Sequence, residues 1–81
     1  MTLAWQQDAH GWVAACGEEG QGEARVAQYL NGWAWFVDML PGTDEAAISA
    51  GRAYASIDEA KRMAARQVDE WPTPIDGARR L

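Results

Sequence analysis

From Thr2 to Leu40 apolar and polar residues alternate with a period near two, and from Ile57 to Trp71 the apolar spacing lengthens to three or four. The shorter period belongs to half-buried strands and the longer to one face of a helix. Residues 2–6 therefore read as a first strand, with Leu3 and Trp5 on one face. The turn Asp8-Ala9-His10-Gly11 leads to a second strand over 12–16. An acidic, flexible loop, Gly17-Glu18-Glu19-Gly20-Gln21-Gly22, precedes a hairpin whose arms are 23–30 and 33–40. Pro41-Gly42-Thr43-Asp44 ends the second arm. Residues 45–55 are Ala-rich and ambiguous between a helical turn and, over 52–55, a further edge strand.

Ser56-Ile57-Asp58-Glu59 has the form of a capping box, and Asp58 and Glu59 suit the positive end of the helix dipole. Ile57, Ala60, Ala64, Val68 and Trp71, with Met63 beside them, form one stripe that faces the sheet. Asp58–Arg62 and Arg66–Glu70 are i,i+4 pairs for the outer face, each worth about 0.2–0.5 kcal/mol. Pro72 and Pro74 stop the helix. The expectation is a single α+β domain over 1–71: an antiparallel sheet of three to five strands with one C-terminal helix packed on one face. Residues 72–81 read as a C-terminal tail, loose unless it docks.

Asn31-Gly32 is the strongest hairpin signal in the chain, because a type I′ turn needs φ > 0 at both central residues. A two-residue loop there sets Leu30 opposite Trp33, Gln28 opposite Trp35, Val26 opposite Val37 and Ala24 opposite Met39. That face is almost wholly apolar and belongs under the helix. The other face pairs Tyr29 with Ala34, Ala27 with Phe36, and Arg25 with Asp38. Opposed charges of opposite sign favour such a register. Tyr29 and Phe36, set among alanines near Arg25 and Asp38, are then candidates for an aromatic binding patch ringed by polar groups.

Composition narrows the function. Five tryptophans in 81 residues supply core material to a chain that buries only roughly 60% of its surface on folding. The net charge is −5, and it is uneven: seven acids against Arg25 up to Gly51, then six bases against five acids. Glu18, Glu19 and Glu23 concentrate charge in the first part, which suits a basic protein partner and disfavours direct contact with nucleic acid. Cys16 is the single cysteine, so no internal disulfide forms. No signal-peptide pattern opens the chain and no apolar run is long enough to span a membrane. A soluble, cytoplasmic protein is expected.

No catalytic motif emerges. His10 and Cys16 are the two residues suited to nucleophilic chemistry, but a strand over 12–16 separates them and no orienting acid is placed. One His and one Cys fall short of a tetrahedral zinc site. Gly17, Gly20 and Gly22 have the wrong order for a phosphate loop, carry two glutamates and open no helix. No cofactor, metal or catalytic residue is assigned.

The run 51–61, preceded by tryptophan-bearing strands at Trp5, Gly11-Trp12-Val13-Ala14 and Trp33-Ala34-Trp35, resembles small phage and prophage proteins of strand–strand–strand–helix layout. That resemblance implies an inhibitor of bacterial defence, of the anti-CRISPR kind. Gly11-Trp12-Val13-Ala14, Leu40-Pro41-Gly42 and Ser56-Ile57-Asp58-Glu59-Ala60 are also similar to the HicB-type antitoxin layout, with a longer gap from Gly42 to Gly51 and no DNA-binding tail. The helix over 60–65 resembles the last helix of double-stranded RNA-binding domains, but Asp58 and Glu59 stand where that family has a basic cluster. The reading is a non-enzymatic module that covers a basic surface of a host protein, itself a candidate nucleic-acid binder. The runner-up is an oligomeric regulator, for which a homodimer is one form. The expected partner-binding residues are Tyr29, Phe36, Arg25, Asp38, Glu18, Glu19 and Glu23.

Overall fold

A computed structural model of the chain describes residues 3–40 and 47–81. In order these form β1 (Gln6–Asp8), β2 (Gly11–Cys16), a 3-10 turn (Glu18–Gly20), β3 (Gly22–Tyr29), β4 (Gly32–Asp38), β5 (Ile48–Ser49), α1 (Ile57–Glu70) and β6 (Arg79–Arg80). The strands make one antiparallel sheet in the order β1-β2-β3-β4-β5-β6, so each pairs with its neighbour in sequence. Six strands exceed the three to five expected, because the segment after the helix supplies the last one. The expected turn over 41–44 lies outside the described residues.

The first hairpin is set by Asp8. Its Oδ1 accepts the backbone N–H groups of His10 and Gly11, both at 2.9 Å, closing a turn at Ala9-His10. Gly11 then lies so close to β3 that a Cβ there would sit 2.2 Å from the Val26 carbonyl oxygen. Pairing therefore starts at Asp8↔Gly11 and runs back only to Gln6↔Val13, later than the strand expected over 2–6. Leu3 is nevertheless buried and Trp5 packs against the core.

The central hairpin forms, but its turn is one residue earlier than Asn31-Gly32. Tyr29 pairs with Gly32, and Leu30 and Asn31 make the loop, with Leu30 at φ 56°. The glycine is used in the ladder instead. Trp33 and Tyr54 exchange backbone hydrogen bonds of 2.8 and 2.7 Å, and a Cβ on Gly32 would fall 2.5 Å from the Tyr54 oxygen. Moving the loop by one residue shifts every partner by two: Gln28 faces Trp33, Val26 faces Trp35, Ala24 faces Val37. A shift of two preserves faces. Leu30, expected opposite Trp33 under the helix, is instead 78% exposed.

The helix packs against β3 and β4. Ser56 caps it, its Oγ accepting the Glu59 N–H at 3.1 Å, and of the two expected outer pairs Arg66–Glu70 closes at 2.9 Å. Ala60, Ala64 and Val68 are buried among Ala14, Ala24, Val26, Trp35, Val37 and Ile48. Lys61 lies over Trp12, Nζ 3.5 Å from the ring centroid, and 5.8 Å from that of Trp5. This contact ties the first hairpin to the helix, a cation–π use of tryptophan that reading it as core filler misses.

The segment after the helix docks. Gln67 is fully buried on the stripe and uses both ends of its amide: Nε2 donates to the Thr73 carbonyl and Oε1 accepts the Ile75 N–H, each at 2.9 Å. Ile75 is buried, Arg79 and Arg80 pair with β5, and the Leu81 N–H donates to the Ala47 carbonyl at 2.8 Å. Within 47–55 the chain pairs at Ile48–Ser49, and the edge strand expected over 52–55 is reduced to a single bridge at Tyr54.

Candidate interaction face of the sheet

The pairing fixes which side chains share the face away from the helix. Across the strands, Gln6, Val13, Arg25, Phe36, Ser49 and Arg79 form one row. Two residues along in one direction stand Ala15, Glu23 and Asp38, and in the other Asp8, Gly11, Ala27 and Ala34, with Tyr29 beyond. All the expected partner-binding residues drawn from β3 and β4 therefore lie on this face. Glu18 and Glu19 are in the 3-10 turn that joins β2 to β3, both exposed.

The face divides into two parts. One is an open depression of about 490 Å³ lined by Ala27, Tyr29, Ala34, Phe36, Ser49 and Arg79, with Arg25 and Arg52 at its margin. Tyr29 is 56% exposed and Leu81, at the far wall, 64%. The guanidinium of Arg52 stacks over Tyr54, 4.4 Å from the ring centroid. Among the described residues Arg79 lies in no ion pair. The other part is a shallower depression of about 360 Å³ bounded by Ala15, Gly20, Gln21, Gly22, Glu23 and Asp38.

Arg25 sits between them and is occupied. Its Nη1 lies 3.1 Å from Asp8 Oδ2 and its Nε 3.1 Å from Glu23 Oε2. The hydrogen bond from the His10 N–H, then that from Arg25, hold the Asp8 carboxyl below the usual carboxylate range. The hydrogen bonds to Glu23 and Asp8 raise the Arg25 guanidinium in turn. The expected Arg25–Asp38 opposition does not form: Arg25 faces Phe36, and Asp38 faces Glu23. The one-residue displacement of the loop is the cause. Two carboxylates are thus directly opposed across β3 and β4, an arrangement that weakens a sheet.

His10 and Cys16 are held at opposite ends of β2, His10 in the exposed β1–β2 turn and Cys16 buried at the far end. Cys16 donates to Met39 Sδ at 3.5 Å. Burial, and then the negative charges of Glu23 and Asp38, push its thiol upward. A buried thiol kept protonated is a packing group. Among the described residues no group of three or more His, Cys, Asp or Glu could hold a metal ion, and no helix is long and apolar enough to cross a membrane.

Arg52, Arg79, Ser49 and Leu81 belong to the aromatic depression but were not among the residues expected from sequence. Arg79-Arg80-Leu81 follows a Pro- and Gly-containing stretch and is too short to show alternation, so nothing in the pattern marks it as a strand. Gln67 did carry a signal, since it falls between Ala64 and Val68 on the helix stripe. Comparison with protein-family models, with curated proteins and with solved structures gives no match.

Proposed function

We propose that the chain is a non-enzymatic protein-binding module that docks through the open face of its sheet, an inhibitor of phage or prophage type that covers a basic surface of a host protein. The observation that carries this reading is the Glu23–Asp38 opposition, next to the exposed Glu18 and Glu19 and to Phe36, with Tyr29 farther along the same face. Two opposed carboxylates repel, and Arg25 is shared between Glu23 and Asp8. A cationic side chain from a partner would relieve that repulsion, while Phe36 supplies apolar area beside it and Tyr29 extends the contact along the face. Binding of this kind needs no cofactor and no direct contact with nucleic acid, and a cytoplasmic partner is the natural one for a chain with a lone, reduced thiol.

Capture from host lysate tests this, with the wild type compared against Tyr29→Ala/Phe36→Ala and Glu23→Gln/Asp38→Gln, each shown folded by circular dichroism and a cooperative melt. The expected result is a basic protein retained by the wild type, lost with the aromatic pair and reduced with the acidic pair. Retention by the folded aromatic variant would show that the open face is not the docking surface.

A further inference from the structure

Besides the Asp8–Arg25–Glu23 cluster, the open face carries both signs of charge, and they are apart. Glu23 and Asp38 mark one end, at the side where Glu18 and Glu19 project. Arg79 marks the other, on the edge strand β6. Phe36 stands between them, one row along β4 from Asp38's end and two strands from Arg79. A surface of this kind is complementary to itself. A two-fold axis lying in the plane of contact and passing near Phe36 would set the Arg79 end of one copy on the Glu23/Asp38 end of the other, twice, and bring Phe36 against its own counterpart.

We infer that this face also docks a second copy of the chain, face to face about a two-fold axis, in an isologous dimer. The available area fits a weak association. The six strands together hold 28 residues, which at ~3.3 Å rise and ~4.8 Å spacing cover a face of roughly 440 Å² in projection. That is about half the ~800 Å² per partner of a standard stable interface, as a weak dimer would have. The sheet's edges offer little alternative, since β1 has three residues and β6 two. The attraction between the charged ends is exposed and therefore salt-sensitive. In the dimer the face is covered, so any host partner that uses it must displace the second copy.

The inference shares its surface with the reading above but not its test. Sedimentation equilibrium over ~1–500 μM protein, at low and at ~1 M salt, reads the association directly. The expected result is a mass that rises toward twice the monomer at low salt and falls back at high salt. Arg79→Glu and Glu23→Lys/Asp38→Lys should each remain monomeric alone, because like ends then meet. Mixed in equal amounts they should form a heterodimer, and adding Phe36→Asp to both should abolish it. A wild type that stays monomeric throughout, or a heterodimer indifferent to Phe36→Asp, would overturn the inference. Host capture by a strictly monomeric chain would leave the proposed function standing, whereas a dimer that captures nothing would do the reverse.

Discussion

The two faces of this sheet are built from alternate residues of the same strands, yet they have almost nothing in common. Under the helix, Ala24, Val37 and Ile48 are wholly buried, and Trp35 is 1% exposed. On the other side Arg25, Ala27, Phe36 and Asp38 keep partial contact with solvent, and Tyr29 is more than half exposed. The first face answers to packing, where volume and shape decide. The second is free of that demand and instead carries charge in two separate ends around an aromatic centre. Neighbours in sequence such as Trp35 and Phe36 are therefore expected to fail in different assays.

The largest effect should separate that pair. Trp35→Ala removes a wholly buried ring and is expected to cost about 3–5 kcal/mol, enough to threaten folding of a domain this small. Trp35→Phe should cost less, since it also removes an indole Nε1 that is buried without a hydrogen-bond partner. Phe36→Ala should cost about 1 kcal/mol or less while abolishing binding. Urea denaturation beside a binding assay checks all three, and equal destabilisation by the two alanines would erase the distinction between faces.

Next in size is Gln67→Ala. It leaves the Thr73 carbonyl and the Ile75 N–H without their partner in a buried setting, at about 1–3 kcal/mol. Hydrogen exchange should report it locally, with Ile75 and the β6 amides losing protection before those of β3. If they stay protected, Gln67 is not what fastens the last strand.

A smaller change should be a gain. Leu30 holds φ 56° in the hairpin turn, and Leu30→Gly is expected to stabilise by up to about 1 kcal/mol, seen as a higher melting temperature. Gly32→Ala should do the opposite, because its Cβ would meet the Tyr54 oxygen at 2.5 Å. The smallest effect concerns Asp8. Its carboxyl is held below the usual range in the fold, so its contribution is present above the ordinary Asp value and is lost as pH falls through the lower folded value. The stability difference between wild type and Asp8→Asn should therefore be seen at neutral pH and vanish in strong acid.

Much of the packed face could be read from sequence, and the reason is redundancy. Val26, Trp35 and Val37 alternate over long strands, and Ala60, Ala64 and Val68 repeat on a capped helix, so a local error does not change the face. The hairpin shows this directly: the loop moved by one residue, the partners by two, and the faces not at all. The same displacement did alter the open face, where it replaced Arg25–Asp38 with Glu23–Asp38. Single charge pairs depend on register in a way that apolar stripes do not. The cationic end was hidden for another reason. Arg79 reaches this surface only because Gln67 and Ile75 lead the chain back to β5, and a two-residue strand has no periodicity to detect.

Two-dimensional NMR of the labelled chain reads, residue by residue, whether the open face is the side that associates. On raising concentration from ~10 to ~500 μM at low salt, shifts should be confined to the open face, including Glu23, Arg25, Ala27, Tyr29, Phe36, Asp38, Ser49 and Arg79, with the outer helix positions Arg62 and Asp69 unmoved. Shifts centred on the outer face of the helix, or spectra that do not change with concentration or with added partner, would contradict it.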